Sequence, residues 1–378
     1  MKCVTFWCPF IGNVGTAKAV LQSARSLAKL KNYECKVINV FGEFDKYTPF
    51  LKKNKITEVR LIKNRLLNSF PKKGLFWSRL FFITLSLFSV FPLIFFLKKN
   101  KNDHLFIYLL SSLPMLVITF FNFKNKIIFR VSGKIKFSFL RRSIYSYCEK
   151  KIKYVLVQTK YAKKIFLKKN IFSKKKIIFI YDPVINLKYI QKLKSKKIEK
   201  RLNKKKFFLS IGRLTKQKNF KFLINCFEKV LKNYSNLCLF ILGDGEEEET
   251  LKNTIIENKL QNKVFLLGHK NNVYKYLSKS EGLICSSLWE EPGFVIQEAA
   301  SCKKIILTSD CDSGPAEFIN YGTNGYLFKN NNSKSFITNF RKMMHEKKYH
   351  KKKINYSFKK VQFYTDKFFL KAIIKILN

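Results

Sequence analysis

Short apolar runs rich in β-branched and aromatic residues alternate, along most of the chain, with stretches whose apolar residues recur at helical spacing. That alternation constrains the fold more than any other feature, because it is the pattern of βα units feeding parallel sheets. Residues 2–9 read as a strand, and Ala17 to Leu30 as a helix, with Ala19, Val20, Ala24, Leu27 and Ala28 on one face. KVINV (36–40), HLFIYLL (104–110), KIIFRVS (126–132), YVLVQT (154–159) and KIIFIYDPV (176–184) continue the strand series. A Lys-rich stretch over 187–206 lacks a strong apolar pattern and is expected as a linker. A second series follows it: FFLSIG (207–212), LCLFILGDG (237–245), VFLLGH, EGLICSS and KKIILTSD. With 378 residues the chain suggests two α/β domains. The boundaries expected are 1–186, the linker 187–206, 207–350, and a helical tail at 351–378 that packs back on the first domain. In parallel sheets ligands bind beyond the carboxyl ends of the strands, so the loops there hold the candidate site.

One such loop stands out. SLWEEPGFVIQEAA, Ser287 to Ala300, follows a strand and opens a helix across Pro292 and Gly293. Glu290 sits in the loop, and Glu298 lies about a turn into the helix. Such a glutamate also serves as an ordinary cap or dipole partner, so spacing alone leaves both readings open. A second loop, IGRLTKQKNF (211–220), places Arg213 and Lys218 five apart before a helix. A guanidinium forks onto phosphate oxygens and an ammonium adds a point charge, which suits a diphosphate; two solvated cations are the plain alternative. A third loop, PFIGNVGT, holds Gly12 and Gly15 after the first strand. There small residues admit a phosphate or sugar to the backbone, or simply make a tight turn.

Lys and Arg number 75 against 24 Asp and Glu, a formal net charge of +51. Such a surface attracts nucleic acid, an anionic membrane or phosphorylated substrates, and lysine-rich composition also raises it without any partner. No nucleic-acid-reading module or aromatic platform is evident, so nucleic acid is not expected as a partner. The nine cysteines are scattered without CxxC pairing, which points to reduced thiols in a cytosolic protein. The start, MKCVTFWCPF, reads as a buried strand rather than a secretory signal. Leu80 to Leu97 carries no charge, with Arg79 and Lys98-Lys99 at its ends. At 18 residues it is near the lower limit for a membrane span, which strands on both sides in one sheet oppose; an interfacial helix is the first reading and a core helix the second, and Pro92 argues against one straight helix.

Taken in order, GRLTKQKNF, LFILGDGEEEETLKN, VFLLGH and SEGLICSSLWEEPGFVIQEAASCKKIILTSDCDSGPAEFINYGTNGYLF resemble the donor-binding half of glycosyltransferase family four. These are the retaining, group 1 glycosyltransferases. The resemblance is close over residues 207–330 and looser at the glycine loop. It implies the B-type fold, α/β with two Rossmann-like domains facing across a cleft, the first on the acceptor side. It implies that Arg213 and Lys218 neutralise a nucleotide diphosphate, that Glu290 is the catalytic acid at the donor sugar, and that Glu298 accepts from ribose hydroxyls. It places Gly293 and Phe294 where their backbone meets the donor, with Gly12 and Gly15 facing it from the first domain. The first-domain region that carries a histidine in many members is FRVSGK here, with Arg130 and Ser132, so no first-domain catalytic residue is assigned.

The function expected is transfer of a sugar from a nucleotide diphosphate sugar to a glycan or lipid-linked acceptor, in bacterial cell-surface polysaccharide or lipopolysaccharide synthesis. The enzyme would sit peripherally on the cytoplasmic face of the membrane, held there by basic runs and the 80–97 segment. No metal or other cofactor is expected. Asp310-Cys311-Asp312 has the form of a metal triplet but lies in a different fold context, after both glutamates. The competing readings are a basic nucleic-acid-binding protein and an inactive, membrane-anchored relative.

Overall fold

The computed structural model describes residues 1–378 apart from 9–14, 41, 63–74, 109–111, 132–137 and 312, and apart from the side chains of 75–86, 112, 113, 116, 140 and 141. The chain divides into two units. One comprises Met1–Gln158, Ala162–Val184 and Asp366–Asn378, the other Thr159–Tyr161 and Ile185–Thr365.

The first unit is a seven-stranded sheet. Its strands are β1 (Lys2–Trp7), β2 (Tyr33–Asn39), β3 (Thr57–Arg60), β4 (His104–Tyr108), β5 (Lys126–Arg130), β6 (Ile152–Val157) and β7 (Ile177–Phe179). The order is β3-β2-β1-β4-β5-β6-β7, and every described pairing is parallel. The crossovers carry helices α1 (Gly15–Ala28), α2 (Thr48–Lys53), α3 (Leu75–Lys99), α4 (Ser112–Phe120), α5 (Phe139–Glu149) and α6 (Lys160–Lys169). Strands buried on both faces read as continuous apolar runs, and β4, HLFIY, is buried at every position. One face of the sheet packs Trp7, Ile38, Leu105, Ile107, Ile127 and Phe129 into a single core. The strand order reverses between β1 and β4, so the carboxyl ends of these two strands flank the topological switch point.

Arg130 ends β5 with a side chain 2% exposed, paired with Asp182, 4% exposed. Arg130 Nε donates to Asp182 Oδ1 at 3.3 Å, and Nη2 pairs with the second carboxylate oxygen. The guanidinium also stands 5.5 Å from the centroid of the buried Tyr108 ring. The charge is thus sealed on every described side.

The second unit is a six-stranded sheet of β8 (Lys206–Ile211), β9 (Leu237–Leu242), β10 (Val264–Leu266), β11 (Gly282–Cys285), β12 (Ile305–Ser309) and β13 (Tyr326–Phe328). The order is β10-β9-β8-β11-β12-β13, again parallel throughout. Its helices are α7 (Leu187–Lys194), α8 (Lys200–Asn203), α9 (Phe220–Leu231), α10 (Glu248–Glu257), α11 (Tyr274–Lys279), α12 (Phe294–Ser301), α13 (Gly314–Phe318), α14 (Ser333–His345) and α15 (Lys347–Val361). Helix α9 shows why these segments fold as they do. Phe220, Leu223, Ile224, Phe227 and Val230 fall on one stripe, and all are buried.

The stretch expected as a linker, 187–206, holds α7 and α8 and is part of the second unit. Three buried apolar side chains, Ile190, Ile198 and Leu202, anchor it there. Glu199 fixes it further: burial pushes its carboxyl up, but the Tyr276 hydroxyl and Lys270 outweigh this and hold it down at about 2. The tail is two helices rather than one. Helix α15 belongs to the second unit, and α16 (Asp366–Leu377) to the first. There Asp366, in the opening turn of α16, accepts from Arg25 Nη2 and Ser26 Oγ of α1, each at 2.8 Å.

Candidate active site

In the second sheet the strand order reverses between β8 and β11, which pair through Phe208–Gly282 and Leu209–Leu283. The two loops singled out in the sequence leave the carboxyl ends of these strands, on either side of the switch point. Topology therefore brings 212–219 and 286–293 together.

The first loop is held at backbone contact. Leu214 N donates to Asp244 O at 2.8 Å, Gly212 N to Leu242 O at 3.0 Å, and Glu247 N to Leu214 O at 2.9 Å. A Cβ at Gly243 would lie 1.8 Å from Gly212 O, so only glycine admits this crossing. Arg213 is exposed on the loop so formed. A short 3-10 turn, Lys216–Lys218, then ends at Asn219, which takes the left-handed conformation (φ 54°) that Asn tolerates. The turn sends Lys218 back across Gly212. A Cβ there would meet the Lys218 stem at 2.7 Å, so the bare glycine leaves the track along which that side chain runs.

Lys218 reaches Glu290 and forms an ion pair with its Oε1; the side chains are 13% and 7% exposed. Ser287 Oγ donates to the same oxygen at 2.6 Å. Burial pulls the Lys218 ammonium pKa down, but the Glu290 carboxylate outweighs it and raises the value above the ordinary one. Arg213 stands near enough to repel the Lys218 charge. The result is one carboxylate and two cations, one cation sunk and one in the open.

The second loop is stapled from several directions. Ser286 Oγ donates to Lys218 O at 2.8 Å, Leu288 N to Gln217 O at 2.8 Å, and Gln217 Nε2 to Trp289 O at 2.8 Å. Asn330 Nδ2 donates to Leu288 O at 2.9 Å, and Ser309 Oγ to Ser287 O at 2.7 Å. Glu291 accepts from Thr159 Oγ1 at 3.1 Å and from Ser313 Oγ. Gly293 (φ 79°) opens α12, and Phe294 is its first residue. Glu298 is the fifth, 8% exposed. The Gln297 amide, oriented to satisfy its surroundings, donates to Gly293 O at 2.8 Å and Phe294 O at 3.1 Å, which stiffens the turn.

Of the residues expected at the site, Lys218, Glu290, Gly293, Phe294 and Glu298 lie on these two elements with Arg213 at their edge. Gly15 opens α1 in the first unit, and Gly12 lies outside the described residues. Arg130 is sealed against Asp182, and Ser132 lies outside the described residues. Asp310 accepts from Asn330 N at 2.6 Å, and Asp312 is not among the described residues. Among the described residues no group of three His, Cys, Asp or Glu could hold a metal ion. Sequence reasoning missed Ser287, Gln217 and the Thr159–Glu291–Ser313 cluster. Ser287, three residues before a glutamate in a tight loop, carried a signal; Thr159, 132 residues from Glu291, carried none.

Two parallel sheets, each with its strand order reversing at a switch point, form the B-type glycosyltransferase fold. Anabaena HepE, solved in complex with UDP and glucose, superposes with a TM-score of 0.75 over 100% of this chain and 99% of that one; at 15% identity the likeness establishes the fold. Residues 191–360, within the second unit, match the family of glycosyl transferases, group 1. An uncharacterized glycosyltransferase of Methanocaldococcus jannaschii is 38% identical over 181 residues, which is 46% of this chain and 44% of that protein. The N-acetylgalactosamine-N,N'-diacetylbacillosaminyl-diphospho-undecaprenol 4-alpha-N-acetylgalactosaminyltransferase of Campylobacter jejuni is 32% identical over 179 residues, 47% of each. The matched stretch thus spans about half the length of these curated relatives.

Proposed function

We propose that the chain is a retaining glycosyltransferase that moves a sugar from a nucleotide diphosphate sugar to a glycan or lipid-linked acceptor in bacterial cell-surface polysaccharide synthesis. The observation that carries this reading is the half-open ion pair of Lys218 and Glu290 beside the exposed Arg213. A diphosphate arriving at Arg213 draws the Lys218 ammonium onto itself. Glu290 is then released toward the donor sugar. As the bond from the anomeric carbon to the diphosphate oxygen breaks, charge grows on the leaving group, and the two fixed cations stabilise it without a metal. Glu290 stabilises the oxocarbenium-like centre. The acceptor hydroxyl adds to that carbon and its proton passes to the departing diphosphate. Glu298 grips the ribose hydroxyls, and the backbone at Gly293 and Phe294 meets the donor. The Campylobacter relative names an undecaprenol-linked acceptor, and the Anabaena structure holds UDP and glucose. Both agree with a donor and acceptor of these classes.

Calorimetric titration with UDP, GDP, ADP and their sugars tests the reading. One diphosphate should bind the wild type. Arg213→Ala should weaken it about tenfold to a hundredfold, since a charge-assisted hydrogen bond contributes roughly 1.5–3 kcal/mol. Glu290→Gln should keep donor binding while transfer falls by about a thousandfold. Failure of every nucleotide to bind, or full transfer by both variants, would sink it.

A further inference from the structure

Helix α3 has two faces. From residue 87 onward, Ser89, Leu93, Ile94 and Leu97 are buried, and Val90 and Phe96 pack against the same core. Leu87, Phe88, Phe91 and Phe95 are 68, 66, 78 and 72% exposed. At 3.6 residues per turn these four fall within an arc of about 100°, opposite the buried set. A stripe of large apolar side chains on a helix already anchored by its other face marks an interaction surface. The sequence around it indicates what kind. Between Val59 and Cys148 the only acidic residue is Asp103, against sixteen Lys and Arg. Asp103 itself is buried, accepting from Thr5 at 2.7 Å and pairing with Lys36. Acids elsewhere are plentiful, six of them between Asp244 and Glu257. Their exclusion here is therefore local rather than a property of the whole composition. Lys98 and Lys99 are exposed at the end of α3. Among the described residues no helix is long and apolar enough to cross a membrane.

We propose that the outer face of α3 docks the first unit on an anionic lipid bilayer. The helix lies along the bilayer plane, with Leu87, Phe88, Phe91 and Phe95 entering the acyl boundary and Lys98 and Lys99 meeting lipid phosphates. This deepens the reading of an enzyme serving a membrane-borne acceptor, and rests on that reading for its purpose.

The test uses the full chain with phosphatidylcholine vesicles, with and without phosphatidylglycerol. Wild type should float with the anionic vesicles. Phe88→Ser/Phe91→Ser/Phe95→Ser should lose at least tenfold in partitioning with its thermal midpoint unchanged, because the three rings lie outside the core. Phe91→Trp should add fluorescence that shifts blue on anionic vesicles and is quenched by bromolipids, relative to wild type. Equal partitioning of the triple variant, or an added signal indifferent to bromolipid, overturns the proposal. So does a concentration-dependent dimer, lost in the triple variant, in a protein that ignores vesicles; the face then seats a second copy. Nucleotide titration on the same preparations separates the two readings. Vesicle binding without nucleotide binding sinks the enzyme and keeps the docking face, and the reverse result does the opposite.

Discussion

Each sheet carries a buried ion pair near the carboxyl ends of its strands, and the two pairs differ in what surrounds them. Arg130 and Asp182 are 2% and 4% exposed, held by two hydrogen bonds and covered by the Tyr108 ring. Lys218 and Glu290 are 13% and 7% exposed, share a single oxygen with Ser287, and have an uncovered arginine beside them. A guanidinium forked onto a carboxylate is a closed arrangement in which both partners are used. An ammonium on one carboxylate oxygen has donors to spare, and a stronger anion can take it. On the proposed reading the difference separates a pair that holds a fold from a pair that waits for a ligand, although both appear in sequence as one cation and one acid far apart.

The sharpest way to break the comparison is to neutralise one acid in each pair. Asp182→Asn should cost about 3–5 kcal/mol of unfolding free energy, because it strands a guanidinium in a place water does not reach. Glu290→Gln should cost only about 1–2 kcal/mol, since the amide still accepts from Ser287 and Lys218 has an opening to solvent. Chemical denaturation of both proteins at neutral pH measures the contrast. Equal losses would show that the second pair is as structural as the first.

Two glycines of the second unit carry the same contrast one step down. At Gly243 an added methyl collides with the carbonyl of Gly212, which is backbone and fixed by the β8–β9 crossing. Gly243→Ala should therefore cost about 3 kcal/mol in stability. At Gly212 the methyl meets the flexible stem of Lys218 instead. That stem moves aside easily, so Gly212→Ala should cost less than about 1 kcal/mol in folding. It should nonetheless weaken nucleotide diphosphate binding severalfold by misplacing the ammonium. Melting curves alongside nucleotide titration resolve the two, and an Ala at 212 that leaves binding untouched would remove Lys218 from the proposed donor site.

What could be read in the sequence follows from how local its causes are. The strands of both sheets were legible because burial on two faces leaves unbroken apolar runs such as HLFIY and LCLFIL. The loop around Glu290 was legible because strand, Pro-Gly turn and helix adjoin in the chain. The 187–206 stretch was not, because its three apolar anchors are spread over a lysine-rich segment and its hydrogen bonds reach about 80 residues along the chain, from Glu199 to Tyr276 and from Leu193 to Asn272. The outer face of α3 was hidden for the opposite reason. A run that is apolar all round has no periodicity, so nothing in it marks which side the core takes. The sealing of Arg130 depends on a partner 52 residues away and left no local trace.

A further small effect bears on a third kind of buried group, one sealed in the first unit without the charge compensation Arg130 enjoys. His104 opens β4 at 4% exposure. Burial, with repulsion from Lys126, Lys2 and Lys153, lowers its pKa from 6.5 to about 4. The folded chain therefore holds a neutral imidazole over a range in which the unfolded chain takes up a proton. Unfolding is favoured as pH falls through that window, and the stability His104 leaves intact above pH 6.5 drains away toward pH 4. Between pH 7 and 5.5 the loss should be about 1 kcal/mol. Glu58, Glu199 and Asp366, whose folded pKa values are also lowered, act only below about 4.5 and so leave this window to the histidine. Urea midpoints at pH 7.0 and 5.5 measure the loss, and His104→Leu should abolish that slope. A slope that survives the substitution would mean that acid destabilises the first unit through some group other than its sealed imidazole.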